Sequence, residues 1–222
     1  MKRLRMLITF FRVVPPVPPW MTATLAITAV VCGTLLATGM TGPGEALAPV
    51  LLLHTLAASS GFAVPAARGH YDLLLTGGES RLRIGLAHWA ASIAPGVSAW
   101  LGVAAVEGFV NGGFPHVSLA SGTVVAVLLM STLAWGATVP WPRMTGGILW
   151  LLVAVLAHAV TWEASPVWRA FLPLARPASL IGANLAGSDV PGVIPAVLVA
   201  TVAVSGGLLW IQRTDISLQV SR

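Results

Sequence analysis

Charge is what this chain has least of. Charged residues occupy 9% of its 222 positions, against roughly 25% in a soluble globular protein. Hydrophobic residues make up 56% and the mean hydropathy is +0.87, so the polar groups that remain cannot cover a water-facing surface. A soluble enzyme and a disordered chain are both excluded. Cysteine is nearly missing as well: Cys32 alone, inside an apolar run, permits neither an intrachain disulfide nor a cysteine-based metal site. Nucleotide-binding and metalloprotease patterns are missing too. There is no Gly-x-x-x-x-Gly-Lys-Ser/Thr loop, no His-Glu-x-x-His, and no Gly-x-Gly-x-x-Gly opening a helix. No cofactor or metal is expected, and any energy source must lie in polar groups of the apolar runs or in a partner. The 12 basic residues outnumber 7 acidic ones, but they are scattered rather than gathered into a stripe, which argues against nucleic acid as a partner.

What is present is a series of apolar runs. A helix crossing roughly 30 Å of hydrocarbon needs about 20 apolar residues. The sequence predicts six transmembrane helices in an all-α, polytopic membrane protein forming a single domain over 1–222: Met21–Thr41, Ala46–Ala66, Leu86–Val106, Ser118–Val139, Gly146–Trp162 and Pro191–Ile211. Turn signals separate them: Gly-Pro-Gly-Glu at 42–45, Asn-Gly-Gly at 111–113 and Pro-Trp-Pro-Arg at 140–143. Orientation follows from the cations, because positive charge near span ends stays on the cytoplasmic side. Lys2, Arg3, Arg5, Arg12, Arg68, Arg81, Arg83, Arg143, Arg213 and Arg222 fall on one side, and only Arg169 and Arg176 on the other. The reading is a multi-pass cell-membrane protein with both termini cytoplasmic. Its Ala, Gly, Val and Arg richness with a single lysine fits a bacterial genome of high GC content.

Before the first span, residues 1–14 set Lys2, Arg5, Thr9 and Arg12 on one helical stripe and Leu4, Leu7, Ile8, Phe11 and Val14 on the opposite side. That predicts an amphipathic interfacial helix on the cytoplasmic leaflet, with Pro-Pro-Val-Pro-Pro as a stiff elbow into the membrane. A signal peptide is the competing reading; the prolines would interrupt its apolar stretch. Between the fifth and sixth spans, 163–190 holds Trp168, Phe171, Leu172, Leu174, Leu180 and Ile181 among prolines. It is too apolar for a solvated loop and reads as a re-entrant or interfacial segment.

The cytoplasmic loop 67–85, ARGHYDLLLTGGESRLRIG, is the most informative soluble stretch. Tyr71, Leu74 and Leu75 form the apolar face of a two-turn helix starting near Gly69 and ended by Thr76-Gly77-Gly78. An exposed face of that kind wants covering, by headgroups or by a groove on another protein. In Gly69, Tyr71, Asp72, Leu74, Leu75, Thr76, Ser80 and Arg81, together with the ending Trp210-Ile-Gln-Arg213-Thr-Asp215-Ile216, the chain resembles the membrane subunits of ABC type-2 transporters. Where those permeases tend to carry Pro after the short helix, this chain has Gly77-Gly78. The resemblance spans the whole architecture. It implies a coupling helix in this loop that docks on a separate nucleotide-binding ATPase subunit, and a connecting helix before the first span. It also implies short re-entrant helices before the last span, a second permease copy or homologous permease as partner, and transport in the direction of export.

Polar groups inside the spans are the remaining candidates. His54 stands near mid-membrane in the second span and His158 in the outer half of the fifth; an ionisable group there reads as functional by default, beside the plainer reading of a neutral imidazole bonded to a neighbouring helix. Thr24, Thr28 and Thr38 share a face of the first span and would line a translocation pathway with those histidines, or bond back to their own helix. Gly33, Gly96, Gly102, Gly136, Gly206 and Gly207 permit close helix packing. Two other functions are open to the same residues. A haem-binding membrane protein, or a haem-export permease, would draw on His54 and His158, although they sit at different depths, with His70, His88 and His116 in loops or at interfaces. An intramembrane serine protease would draw on Ser60-Gly61 and His158, which fall near opposite ends of their spans.

Overall fold

The structure, a computed structural model, describes residues 2–40, 43–110, 117–150, 152 and 190–214. Every regular element among them is a helix: α1 (Lys2–Val13), α2 (Pro19–Ala37), α3 (Pro43–Ala58), α4 (Ala63–Ala67), α5 (Asp72–Thr76), α6 (Arg81–Val110), α7 (Val117–Thr138) and α8 (Val190–Arg213). A further helical stretch covers 143–150. Two helices, α2 and α6, are long and apolar enough to cross a membrane. His158, the rest of the fifth run and the segment 163–190 lie outside the described residues.

The local causes are readable. Proline at the first position of α2 starts that helix without losing a bonded N–H, because the first N–H groups of a helix have no partner anyway. The helix then runs through 19 residues with Met21, Leu25, Ala29 and Cys32 buried. α2 packs most extensively against α6, and α7 against α8, with α3 between α2, α6 and α7. One core joins α2, α3 and α6 through Leu25, Val50, Trp100 and Val103. A second core lies at one end of the bundle, where Leu7 of α1, Phe62, Tyr71, Leu74, Ile84, Trp135 and Ile211 meet. The ends that carry most of the basic residues thus gather on one side of the molecule.

Two expectations are corrected. The second apolar run is not one helix over 46–66. It stops at Ala58, the chain turns at Gly61, and α4 follows. Ser59 and Ser60 are the physical reason, because short hydroxyl side chains offer the backbone local partners other than the helix ladder: the Ser59 hydroxyl donates to Thr55 O at 3.2 Å, and the Ser60 oxygen accepts the Phe62 N–H at 3.0 Å. Close packing at glycine is also selective. An added Cβ would meet Val106 at 3.0 Å from Gly33 and Val139 at 2.9 Å from Gly207, and would collide with His54 from Gly96 and with the Ala203 backbone from Gly136. Gly206 faces open space and Gly102 only just touches Ala29.

The contrast is measurable. Gly96→Ala forces the His54 ring to move and should cost about 1–3 kcal/mol, read as a lowered melting temperature of the detergent-solubilised chain. Gly206→Ala should leave that temperature unchanged or raised.

Candidate functional site

The loop joining α3 to α6 is built from two short helices and two glycine-capped ends. α4 ends with Gly69 at φ +71° and α5 with Gly78 at φ +82°. At both, the next N–H reaches back to the last helical turn, His70 to Pro65 O and Glu79 to Leu74 O, each at 3.0 Å. This is the left-handed cap that only glycine adopts without strain. The Asp72 carboxylate lies close over Gly69, 2.8 Å from where a Cβ would stand. The hairpin is therefore set by sequence at both corners.

Its apolar face does not point outward. Tyr71 is 2% exposed and Leu74 fully buried, with Leu75 packed on the same core. The expected two-turn helix from Gly69 is instead the five-residue α5, whose inner face is covered by the chain itself. Tyr71 stacks on Phe62 with ring centroids 4.7 Å apart and planes 12° from parallel, and Phe10 and Phe11 of α1 close over it at 5.9 and 6.5 Å. The amphipathic α1 is accordingly docked by Met6, Leu7, Phe10 and Phe11 on protein, while Arg5, Thr9 and Arg12 stay exposed. What α5 offers outward is Leu73, 71% exposed, flanked by exposed His70, Thr76 and Gly77. Thr76 bonds back to Asp72 O at 2.9 Å and closes the turn.

Arginines fasten this loop to the bundle. Arg81 donates from Nη1 to Gln212 O at 3.0 Å and Thr214 O at 2.9 Å, the carbonyls that α8 leaves unpaired at its C-terminus. The Ser80 oxygen accepts the Arg83 N–H at 3.3 Å, and Arg83 lies 3.7 Å from the buried Glu79 carboxylate. Arg143 does more. It donates to Ala57 O at 2.6 Å, to Ser60 O at 3.4 Å and to Pro16 O, joining the broken end of α3 to the proline elbow. Burial pushes the Arg143 guanidinium down to about 10, with the Tyr71 phenol opposing, so it stays a cation at neutral pH. Burial pushes the Tyr71 phenol well up, with Arg143 opposing.

Of the pathway candidates, Thr24 and Thr38 are exposed and bond back to Trp20 O at 2.9 Å and Thr34 O at 2.8 Å, and Thr28 is half-buried. His54 is buried and accepts the Trp100 indole N–H at 3.2 Å. Sequence reasoning put His88 in a loop or at an interface. It is buried in α6, accepts the Trp135 indole N–H at 3.1 Å and meets Phe62 edge-on at 5.2 Å. Because an indole N–H only donates, Nδ1 of each histidine is the acceptor and the ring proton sits on Nε2. Ser60 is fully buried, its N–H bonded to the Thr138 hydroxyl at 2.7 Å. Among the described residues no group of three His, Cys, Asp or Glu is placed to hold a metal ion. The chain matches no protein-family profile, no curated protein and no solved structure.

Arg143 was missed as a site residue, although it is the one cation between Arg83 and Arg169 in the sequence, an isolation that could have marked it. Arg143→Met strands three carbonyls and should lower stability by about 2–3 kcal/mol, seen in denaturant or thermal unfolding. Tyr71 is the only tyrosine, so the tyrosinate absorbance of the whole protein reports it. Ionisation should begin well above the ordinary value of about 10 in the folded chain and return to it on unfolding. Since the unfolded state then loses its proton first, stability should fall as pH rises past that value.

Proposed function

We propose that the chain is the membrane-spanning permease subunit of an ATP-driven ABC transporter, working as an exporter and coupled through 67–85 to a separate ATPase. The observation that carries the reading is α5: a short helix locked to the bundle by Tyr71 and Leu74 on one side and presenting Leu73 on the other. A helix held this way passes a push onward instead of absorbing it. Through Phe62 the push reaches the end of α3, through Ser80 and Arg81 it reaches α6 and α8, and through Phe10 and Phe11 it reaches α1. Closure of a nucleotide-binding partner against Leu73 would then rock these elements together.

Further support comes from the apolar content of the bundle. α2 and α6 pass the length and hydropathy test for a span. In this reading α3, α7, α8 and the helix that begins at 143 supply the other four, giving six spans with both termini in the cytoplasm. A second permease copy or a homologue completes the pathway, which Thr24, Thr28, Thr38, His54 and His158 would border.

Cross-linking tests this directly. The native cysteine is buried, so a Cys32→Ala chain carrying Leu73→Cys gives one reactive thiol on α5. In native membranes a bifunctional thiol reagent should join it to a nucleotide-binding ATPase, and Leu73→Asp should abolish ATP-dependent transport at unchanged protein level. Labelling of the Leu73→Cys thiol by an impermeant reagent from outside intact cells, or full activity of the chain alone, would overturn the reading.

A further inference from the structure

A cavity of about 860 Å³ forms a side-opening groove between α2 and α6, closed at one end by α1 and the proline elbow. Its walls are α2 and α6, both long and apolar enough to cross a membrane. On α6 the floor is a ladder of small residues at four-residue steps, Ala90, Ala94, Ser98 and Gly102, faced by Ala26 and Ala29 of α2. From Ala87 to Gly102 the floor rises about 22 Å at 1.5 Å per residue, enough for the acyl chain of one leaflet, about half of a 30 Å hydrocarbon core. A single charge lines the groove. Arg12 stands at the closed end, exposed, with no hydrogen bond or ion pair among the described residues, and no acidic residue shares the lining.

We propose that this groove holds one anionic phospholipid, its chain along the small-residue ladder and its headgroup phosphate on Arg12. The apolar trough calls for hydrocarbon. The lone cation at its α1 end, on the helix whose exposed edge also carries Arg5, calls for a negative headgroup at the same depth. Small side chains on the floor leave the chain room to lie between the helices instead of over them. The lipid would tie the basic edge of α1 to α2 and α6. The inference rests on the membrane part of the proposed function and not on the ATPase.

The test is native mass spectrometry of the full-length, detergent-purified chain equilibrated with phosphatidylglycerol or phosphatidylcholine of identical chains. One phosphatidylglycerol should be retained per chain in preference to phosphatidylcholine. Arg12→Gln should weaken its retention about fivefold, the effect of one interfacial cation, and Arg12→Lys should keep most of it. Ala94→Trp, on the exposed side of α6, should fill the groove and release the lipid while the melting temperature is held. Equal retention of the two lipids, no change with Arg12→Gln, or no change in a folded Ala94→Trp protein would each overturn the site. So would a lipid-free dimer that Ala94→Trp converts to monomer, since the groove then belongs to a second copy. A chain that stays in solution without detergent would overturn the membrane reading itself, a result separate from any of these.

Discussion

One half-buried cation holds the unusual part of this bundle together. A helix that stops short in apolar surroundings leaves carbonyls with nowhere to turn, and each such group is costly if stranded. α3 stops at Ala58, and the Arg143 guanidinium supplies the missing donors at Ala57 and Ser60 while also holding Pro16. Thr138 takes care of the Ser60 N–H from the opposite side. Because an arginine fork has several donors fixed in one plane, a single side chain unites the elbow, the broken helix and the turn after α7. The positions of Phe62, α4 and α5 all follow from where that break is fixed.

The same end of the molecule is organised by rings. Tyr71, Phe62, His88, Phe10, Phe11 and Trp135 come from five different stretches of chain and converge within stacking or edge contact. Such contacts are directional, so they fix the angle of α1 and α5 as well as their distance from the bundle. His88 of this cluster and His54 play an allied part. Each gives an indole N–H its acceptor across a helix pair, His54 for Trp100 and His88 for Trp135, which lets large aromatic residues be buried without an orphaned donor.

Much of this was legible in the sequence, and the failures have physical causes. Helix limits were close, since α2, α6, α7 and α8 start and stop near the turn signals and charges that bound the apolar runs. The all-helical class followed from the same runs, and the stop of α5 at Thr76-Gly77-Gly78 followed from a cap with a known stereochemical demand. What periodicity does not carry is which neighbour an apolar face will meet. Tyr71 and Leu74 read as a face in want of a partner, and the partner was α1 with Phe62, more than fifty residues away for one and nine for the other. The break in the second apolar run was likewise hidden by hydropathy, which scores Ser59-Ser60-Gly61 as a brief dip, whereas the backbone registers it as a chain end. His88 looked superficial because it follows Arg81 and Arg83 closely; the cap on α5 turns that part of α6 under the aromatic cluster.

The Arg81 link has a consequence of a different sort. Two of its acceptors, on Gln212 and Thr214, are main-chain oxygens, and every residue type carries the same oxygen. These two bonds are set by where the coil finishes and not by which side chains finish it. Adding or deleting one residue there rotates the acceptors by roughly 100° about the axis and pulls them from the guanidinium. For these two bonds the height of the helix end counts for more than its spelling.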